Sequence, residues 1–421
     1  MGCMNRNLNM WALVYWILLG SPPAYGEALT YESLPTLIRQ RSRVVKSASM
    51  QLEAARSREG YLARSFLPRV ESFLGTEAFR MGTQSASAEP LWRVDAYVNL
   101  YNGGRDSVEE NLRAGNSRAL ALDTERDFNQ ELLAARKAYF EALSLEQLIT
   151  IEESLLKLYE DHGRRAARKF ASGLTTESDL LQFDIAKSKA AQEIKKLRGH
   201  SDVVRTQLAL LTGFQDHTKL EIHASIEHPA EDDLKGETVN IAQIAEIAAI
   251  RERGALLAME AARQRSIWNP QIDVYSSMVQ FTSRDREVRP PRERQEWALG
   301  VRLKMDLGEG WNATKDAHAK NLLAMAADTR ADLRTAQILS LEHELRHELG
   351  LLHELIHDAD QSLKKAEKAL RLTVQEYERG LKNGPDILQA SQSLVEIKRL
   401  STVHKRDYHL KRCELLALLS K

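Results

Sequence analysis

The chain has 421 residues, with 59 Lys and Arg against 59 Asp and Glu, so its formal net charge is zero. That balance argues against a nucleic-acid partner, which normally meets a basic excess, and 43% hydrophobic residues argue against a disordered chain. Two cysteines cannot build a disulfide framework, whereas few prolines and many Ala, Leu, Glu, Lys and Arg residues predict long helices.

The first feature along the chain is the apolar stretch 11–20, behind a short segment carrying Arg6 and ahead of Ser21-Pro-Pro-Ala-Tyr-Gly26. It is too short to span a bilayer as a helix. Ala24 and Gly26 fit a signal-peptidase site, so residues 1–26 read as an export signal cleaved after Gly26. Cys3 precedes the apolar core, which gives no lipoprotein site and leaves Cys413 to pack as a small apolar residue.

Beyond the signal the chain is written twice. Ser172-Gly-Leu-Thr-Thr-Glu-Ser-Asp-Leu-Leu-Gln182 returns 207 residues later as Arg379-Gly-Leu-Lys-Asn-Gly-Pro-Asp-Ile-Leu-Gln389. Leu208-Ala-Leu-Leu211 returns as Leu415-Leu-Ala-Leu418, and Leu67-Pro-Arg-Val70 pairs with Asn269-Pro-Gln-Ile272. The halves run over 27–215 and 238–421, with a polar linker at 216–237.

Each half predicts the same elements. A helix at 34–66, or 241–268, stops at Pro68 or Pro270, since proline blocks helix continuation. Two strands follow. The second alternates strictly: Trp92, Val94, Ala96, Val98 and Leu100 share one face, and in the other half so do Trp297, Leu299, Val301, Leu303 and Met305. The preceding strands, at 70–80 and 272–282, alternate less clearly. A proline-free helix then covers 105–171 and 313–379, each about 100 Å long if continuous. It turns at Gly173 or Gly380, which suit a left-handed helix end, and a second helix returns to about 211 or 419.

Four strands of membrane-spanning length cannot close a barrel from one chain, because bacterial barrels start at eight. Three chains would supply twelve strands. The export signal, the twofold repeat, the strand ending Asn99-Leu-Tyr-Asn-Gly-Gly104 and the Gly-Leu turn repeated at Gly173 and Gly380 together resemble the TolC family of outer-membrane channel proteins. The resemblance covers the whole mature chain. It implies a mainly α fold with a small β part: a trimeric, 12-stranded outer-membrane β-barrel continuing into a long periplasmic α-helical barrel. It also implies an exit duct of a tripartite efflux pump or type I secretion system, a homotrimer partnered by a periplasmic adaptor (membrane fusion) protein and an inner-membrane transporter. The strand positions Trp92, Val94, Val98, Trp297, Leu299, Val301 and Leu303 would then face outer-membrane lipid. The adaptor would meet Ser172, Gly173 and Leu174, and Arg379, Gly380 and Leu381, although Ser and Arg stand where the family has valine. Asp386 falls where some members line a periplasmic constriction with aspartates; a plain helix-start role is the alternative.

One motif points elsewhere. His343-Glu-Leu-Arg-His347-Glu-Leu-Gly350-Leu-Leu-His353 spells the zinc signature of metzincin metalloproteases. Three observations oppose that reading. No methionine follows Met325 to make the Met-turn, the helical pattern continues past Gly350, and the equivalent stretch of the first half, 136–146, has no histidine. On an unbroken helix His343, His347, His353 and His357 lie at about 0°, 40°, 280° and 320°, a polar side that reads as solvated. The expectation is a non-enzymatic chain without cofactor or metal, with the metalloprotease and a periplasmic helical scaffold as alternatives. The basic segment 284–294 joins two strands and reads as a charged solvated loop, with lipopolysaccharide contact as its alternative.

Overall fold

The computed structural model describes residues 29–79, 87–214, 222, 226, 228, 239–281, 294–305, 308 and 310–419. The expected signal peptide at 1–26, nearly all of the expected linker 216–237 and residues 284–293 of the basic segment lie outside them.

The elements are α1 (Leu34–Arg41), α2 (Arg43–Arg56), α3 (Tyr61–Ser65), β1 (Arg69–Phe79), β2 (Ser87–Asn102), α4 (Arg105–Ala171) and α5 (Glu177–Thr212). Then come α6 (Ala245–Arg265), β3 (Gln271–Phe281), β4 (Arg294–Lys304), α7 (Gly310–Glu378) and α8 (Gly384–Leu418). The expected single helix at 34–66 is three helices. Ser42 leaves helical geometry (φ −61°, ψ 129°), and its hydroxyl donates to Glu131 at 3.1 Å, a tertiary bond that takes over where the helix breaks. Gly60 adopts φ 72° before α3. The expected helix 241–268 is α6 flanked by single 3₁₀ turns at Ile241–Gln243 and Ser266–Trp268.

The residues form two compact units, and each draws on both halves of the sequence. One comprises the described residues of Met1–Lys46, Phe128–Val239 and Ser340–Lys421; the other comprises those of Ser47–Asp127 and Asn240–Leu339.

In the second unit the four strands form one antiparallel sheet in the order β1-β2-β3-β4. Neither β1 nor β4 has a second neighbour among the described residues. A bulge between Asn99 and Tyr101 shifts the β2–β3 register near the strand end. There Asn99 and Asn102 donate to the Asp106 carboxylate at 2.5 and 3.1 Å, tying the strand to the first turn of α4. An acid there also faces the positive end of the helix dipole. The Arg105 guanidinium donates to the carbonyls of Ser266 and Ile267 at 3.3 and 3.2 Å, joining the foot of β2 to that of β3.

In the first unit the helices pack on their apolar stripes. Leu34 and Ile38 of α1 sink completely beside Phe128, Leu132, Tyr139, Phe140 and Leu208, each aliphatic side chain contributing about 1.5–3 kcal/mol. Cys413 is buried in the same cluster, and burial pushes its thiol up to about 11, so it packs as an unreactive group. Ion pairs join neighbouring helices at their rims: Arg198 of α5 with Glu153 of α4 at 2.6 Å, and Lys411 of α8 with Glu348 of α7 at 2.7 Å. The fully buried Glu152 accepts from Arg399 at 2.6 Å, which gives its charge the partner that burial demands.

Candidate functional site: a one-sided sheet and two helical turns

Strand register decides which side chains share a face. Val70, Ser72 and Leu74 align with Ala96, Val94 and Trp92. Val94, Ala96 and Val98 align with Met278, Ser276 and Val274. Ile272, Val274, Ser276 and Met278 align in turn with Leu303, Val301, Leu299 and Trp297. One face therefore runs apolar across all four strands and carries no charge between Val70 and Leu74, Trp92 and Val98, Ile272 and Met278, or Trp297 and Leu303. Arg69, Glu71, Arg93, Asp95, Asp273, Arg302 and Lys304 all fall on the opposite face.

That opposite face is organised by polar pairs. Ser277 donates to Asp95 at 2.5 Å, Arg302 pairs with Asp273 at 3.1 Å, and the Arg302 guanidinium lies over the Tyr97 ring. Two rings lie flat on it because glycine leaves the room: a Cβ at Gly300 would come within 2.9 Å of the Tyr275 ring, and one at Gly75 within 2.7 Å of Phe73. Aromatic cover of a strand glycine restores packing that the missing side chain would lose.

Leu74 (80% exposed) and Trp297 (77%), with Leu299, Val301 and Leu303, lie open on the apolar face. Single exposed apolar residues are ordinary, but a contiguous four-strand patch marks a partner surface or a lipid surface. Tryptophans stand at both ends of the band. Trp92 and Trp297 mark one end. At the other, Trp268 and Trp311 meet edge to face with centroids 6.1 Å apart, and Gly310 makes room for the Trp268 indole. From Gln271 to Gln280 the strand covers roughly 30 Å, or about 23 Å along a barrel axis at the usual tilt, close to the apolar band of a membrane barrel. Sequence reasoning missed Trp268 and Trp311 because they sit in a 3₁₀ turn and a helix start, outside any alternating run.

In the helical unit, the turns after α4 and α7 carry the other candidate residues. Gly173 and Gly380 both adopt positive φ, 70° and 80°, a conformation that costs other L-residues about 1–2 kcal/mol. Each is followed by a leucine whose N–H closes on the carbonyl five residues back, Leu174 on Lys169 at 2.8 Å and Leu381 on Glu376 at 2.9 Å. This bond satisfies a carbonyl left open by the helix end. Ser172, Gly173, Leu174, Arg379, Gly380 and Leu381 are all exposed, the two leucines at 76% and 74%. Asp386 closes a capping box: its carboxylate accepts from the Asn383 N–H at 2.9 Å, and Asn383 caps α8 in return.

Beneath the turns lies a cluster of Leu155, Tyr159, Phe183, Tyr377, Ile387 and Leu388. Lys169 sits over the Tyr377 ring and donates to the Tyr377 carbonyl at 3.0 Å. Burial pushes the Tyr377 phenol up, and the Asp179 carboxylate adds to the effect. His162, 5% exposed and stacked on Phe183, is pushed down by burial and then by the Arg165 guanidinium.

The metzincin arrangement does not form. Helix α7 runs from Gly310 to Glu378 without interruption at Gly350, so His353 is not turned back toward His343 and His347. Among the described residues no three His, Cys, Asp or Glu side chains converge on a metal position. Nor is any described helix long and apolar enough to cross a membrane.

No protein-family model and no curated relative matches the sequence. Solved structures do match. VceC, an outer membrane protein of Vibrio cholerae, superposes with a TM-score of 0.75 at 15% identity, over 92% of this chain and 96% of its own. The outer-membrane channel OprN gives 0.78 at 15%, over 93% and 89%. The CmeC outer membrane channel of Campylobacter jejuni gives 0.77 at 12%, over 96% and 91%. At these identities the likeness is one of fold. The chain has the TolC-like outer-membrane channel fold, mainly α with a small β part.

Proposed function

We propose that this chain is one subunit of a homotrimeric outer-membrane channel, the passive exit duct of a tripartite efflux pump or type I secretion system. The observation that carries the reading is the one-sided sheet with two open edges. An apolar face free of charge suits lipid, a charged face suits a water-filled lumen, and open edges in a bilayer require a neighbour to pair with. Edge pairing of β4 with β1 of the next copy closes twelve strands around three chains. Helices α4 and α7, of 67 and 69 residues, are each about 100 Å long and supply the wall of a periplasmic duct.

On this reading Trp92, Val94, Val98, Trp297, Leu299, Val301 and Leu303 face outer-membrane lipid. The exposed Leu174 and Leu381, with Ser172, Gly173, Arg379 and Gly380, meet the hairpin of a periplasmic adaptor that links the duct to an inner-membrane transporter. Asp386, besides capping α8, lines the periplasmic constriction. The duct performs no bond chemistry, and the energy comes from the transporter.

The test is direct. Chain extracted from outer membranes should migrate as a heat-sensitive trimer and open discrete conductances in planar bilayers. A monomer that stays soluble without detergent after signal removal, and conducts nothing, would leave a periplasmic scaffold in its place.

A further inference from the structure

The histidine face of α7 is not absorbed by a duct. Two H-E-x-x-H runs follow one another on this helix, His343 to His347 and His353 to His357. Helix continuity, which removes the protease centre, places the members of each pair one turn apart on the same side, with Cβ atoms about 5–6 Å from each other. Two imidazole nitrogens at that spacing reach a single ion at about 2.0–2.1 Å. The buried Leu345, Leu349 and Ile356 fix which side of α7 faces the core, and they leave His343, His347 and His357 exposed and His353 half-buried. The Gln361 amide, one turn beyond His357 and away from His353, lies 2.9 Å from His357 Nε2, so an ion held by the second pair has to take this ring from Gln361.

The surrounding charge is mixed, with the Lys411 ammonium held by Glu348 at 2.7 Å and also felt by Glu344. Glu344 and Glu354 are exposed and each precedes the second histidine of its pair by three residues, a neighbouring position on a helix. The Arg346 guanidinium in the same stretch is held by Glu342 at 2.9 Å, which neutralises it. The pairs are ten residues apart, about 15 Å along the axis, so two ions bound there would barely interact.

We propose that His343 with His347, and His353 with His357, form two bidentate sites for a late first-row divalent cation, with water completing each shell. Imidazole ligands suit copper, nickel and zinc, and the general affinity order puts Cu²⁺ first.

Untagged wild-type protein in detergent, titrated with Cu²⁺ by calorimetry, should take up about two ions per chain at these sites, with imidazole nitrogen couplings in the electron paramagnetic resonance spectrum. His347→Ala should remove one ion and His357→Ala the other. The double variant should lose both, with affinity there down at least about tenfold and unchanged helical circular dichroism. Full copper stoichiometry in the double variant, or wild-type copper without imidazole couplings, would overturn the proposal. The readout is binding alone, so it stands or falls separately from the channel reading.

Discussion

The turn after α4 and the turn after α7 stop their first helix in one way and start their second in two. Both use a left-handed glycine and a leucine N–H bonded five residues back. Beyond that point they part. In the first turn the Thr176 hydroxyl accepts from the Asp179 N–H at 3.3 Å, and Thr175 donates to the Asp179 carboxylate at 2.6 Å. In the second, Asn383 and Asp386 cap each other, and Pro385 sits in the first turn of α8. The lesson is that reversing the chain demands glycine, whereas opening the next helix demands only some short polar group. The side chains exposed at the turns are therefore free to differ: Ser172 at one, Arg379 and Lys382 at the other.

Docking should break the comparison most strongly. Burying each leucine against an adaptor would contribute about 2 kcal/mol, so Leu174→Asp with Leu381→Asp should weaken adaptor binding by about a hundredfold or more while the trimer persists. Surface plasmon resonance against a periplasmic adaptor that binds the wild-type chain would measure it. Equal losses from the two single changes mean equivalent turns; a loss confined to Leu381→Asp assigns docking to the basic turn.

The caps should separate more modestly. Asn383→Ala combined with Asp386→Ala removes both arms of the capping box and should cost about 1–1.5 kcal/mol, against about 0.5–1 kcal/mol for Thr176→Ala. Thermal unfolding in detergent, followed by circular dichroism, ranks them. Identical melting shifts would show that the box adds nothing over a single hydroxyl.

The smallest difference is in acid. His162 lies beneath the first turn, and its counterpart in the second repeat is Ala369. A histidine held below its ordinary value in the folded chain binds protons more readily when unfolded. Its stabilising contribution is therefore present above about pH 6.5 and is lost as pH falls toward the depressed value. His162→Leu should flatten the decline in thermal stability between about pH 7 and pH 5. An unchanged slope would place the acid sensitivity elsewhere.

Long helices were the most legible part of the fold. The bounds of α4 follow from Gly103 and Gly104 before it, Gly173 after it, and 67 residues without proline between. The break at Ser42 was not legible, because the residue that answers it, Glu131, lies far along the chain. The apolar band was half legible. β2 and β4 announce it by strict alternation, but in β1 and β3 it passes through Ser72, Ser276 and Gln280, and only the register shows that these share a face with valines and leucines. Asp386 illustrates a different limit. Sequence places an acid at a helix start, yet its bond to the Asn383 N–H becomes visible only with coordinates.

The unpaired edges of β1 and β4 carry a consequence for how such a subunit reaches its membrane. Each backbone group left without a partner in hydrocarbon costs several kcal/mol, and a lone chain would carry two rows of them into the lipid. On the channel reading a single subunit therefore has no stable inserted form, and membrane entry and closure of the three-chain ring are one event. Yield should then depend steeply on subunit concentration. A chain whose β4 edge is blocked should also poison rings that include normal copies, so that a minority of defective subunits disables most of the assembled population.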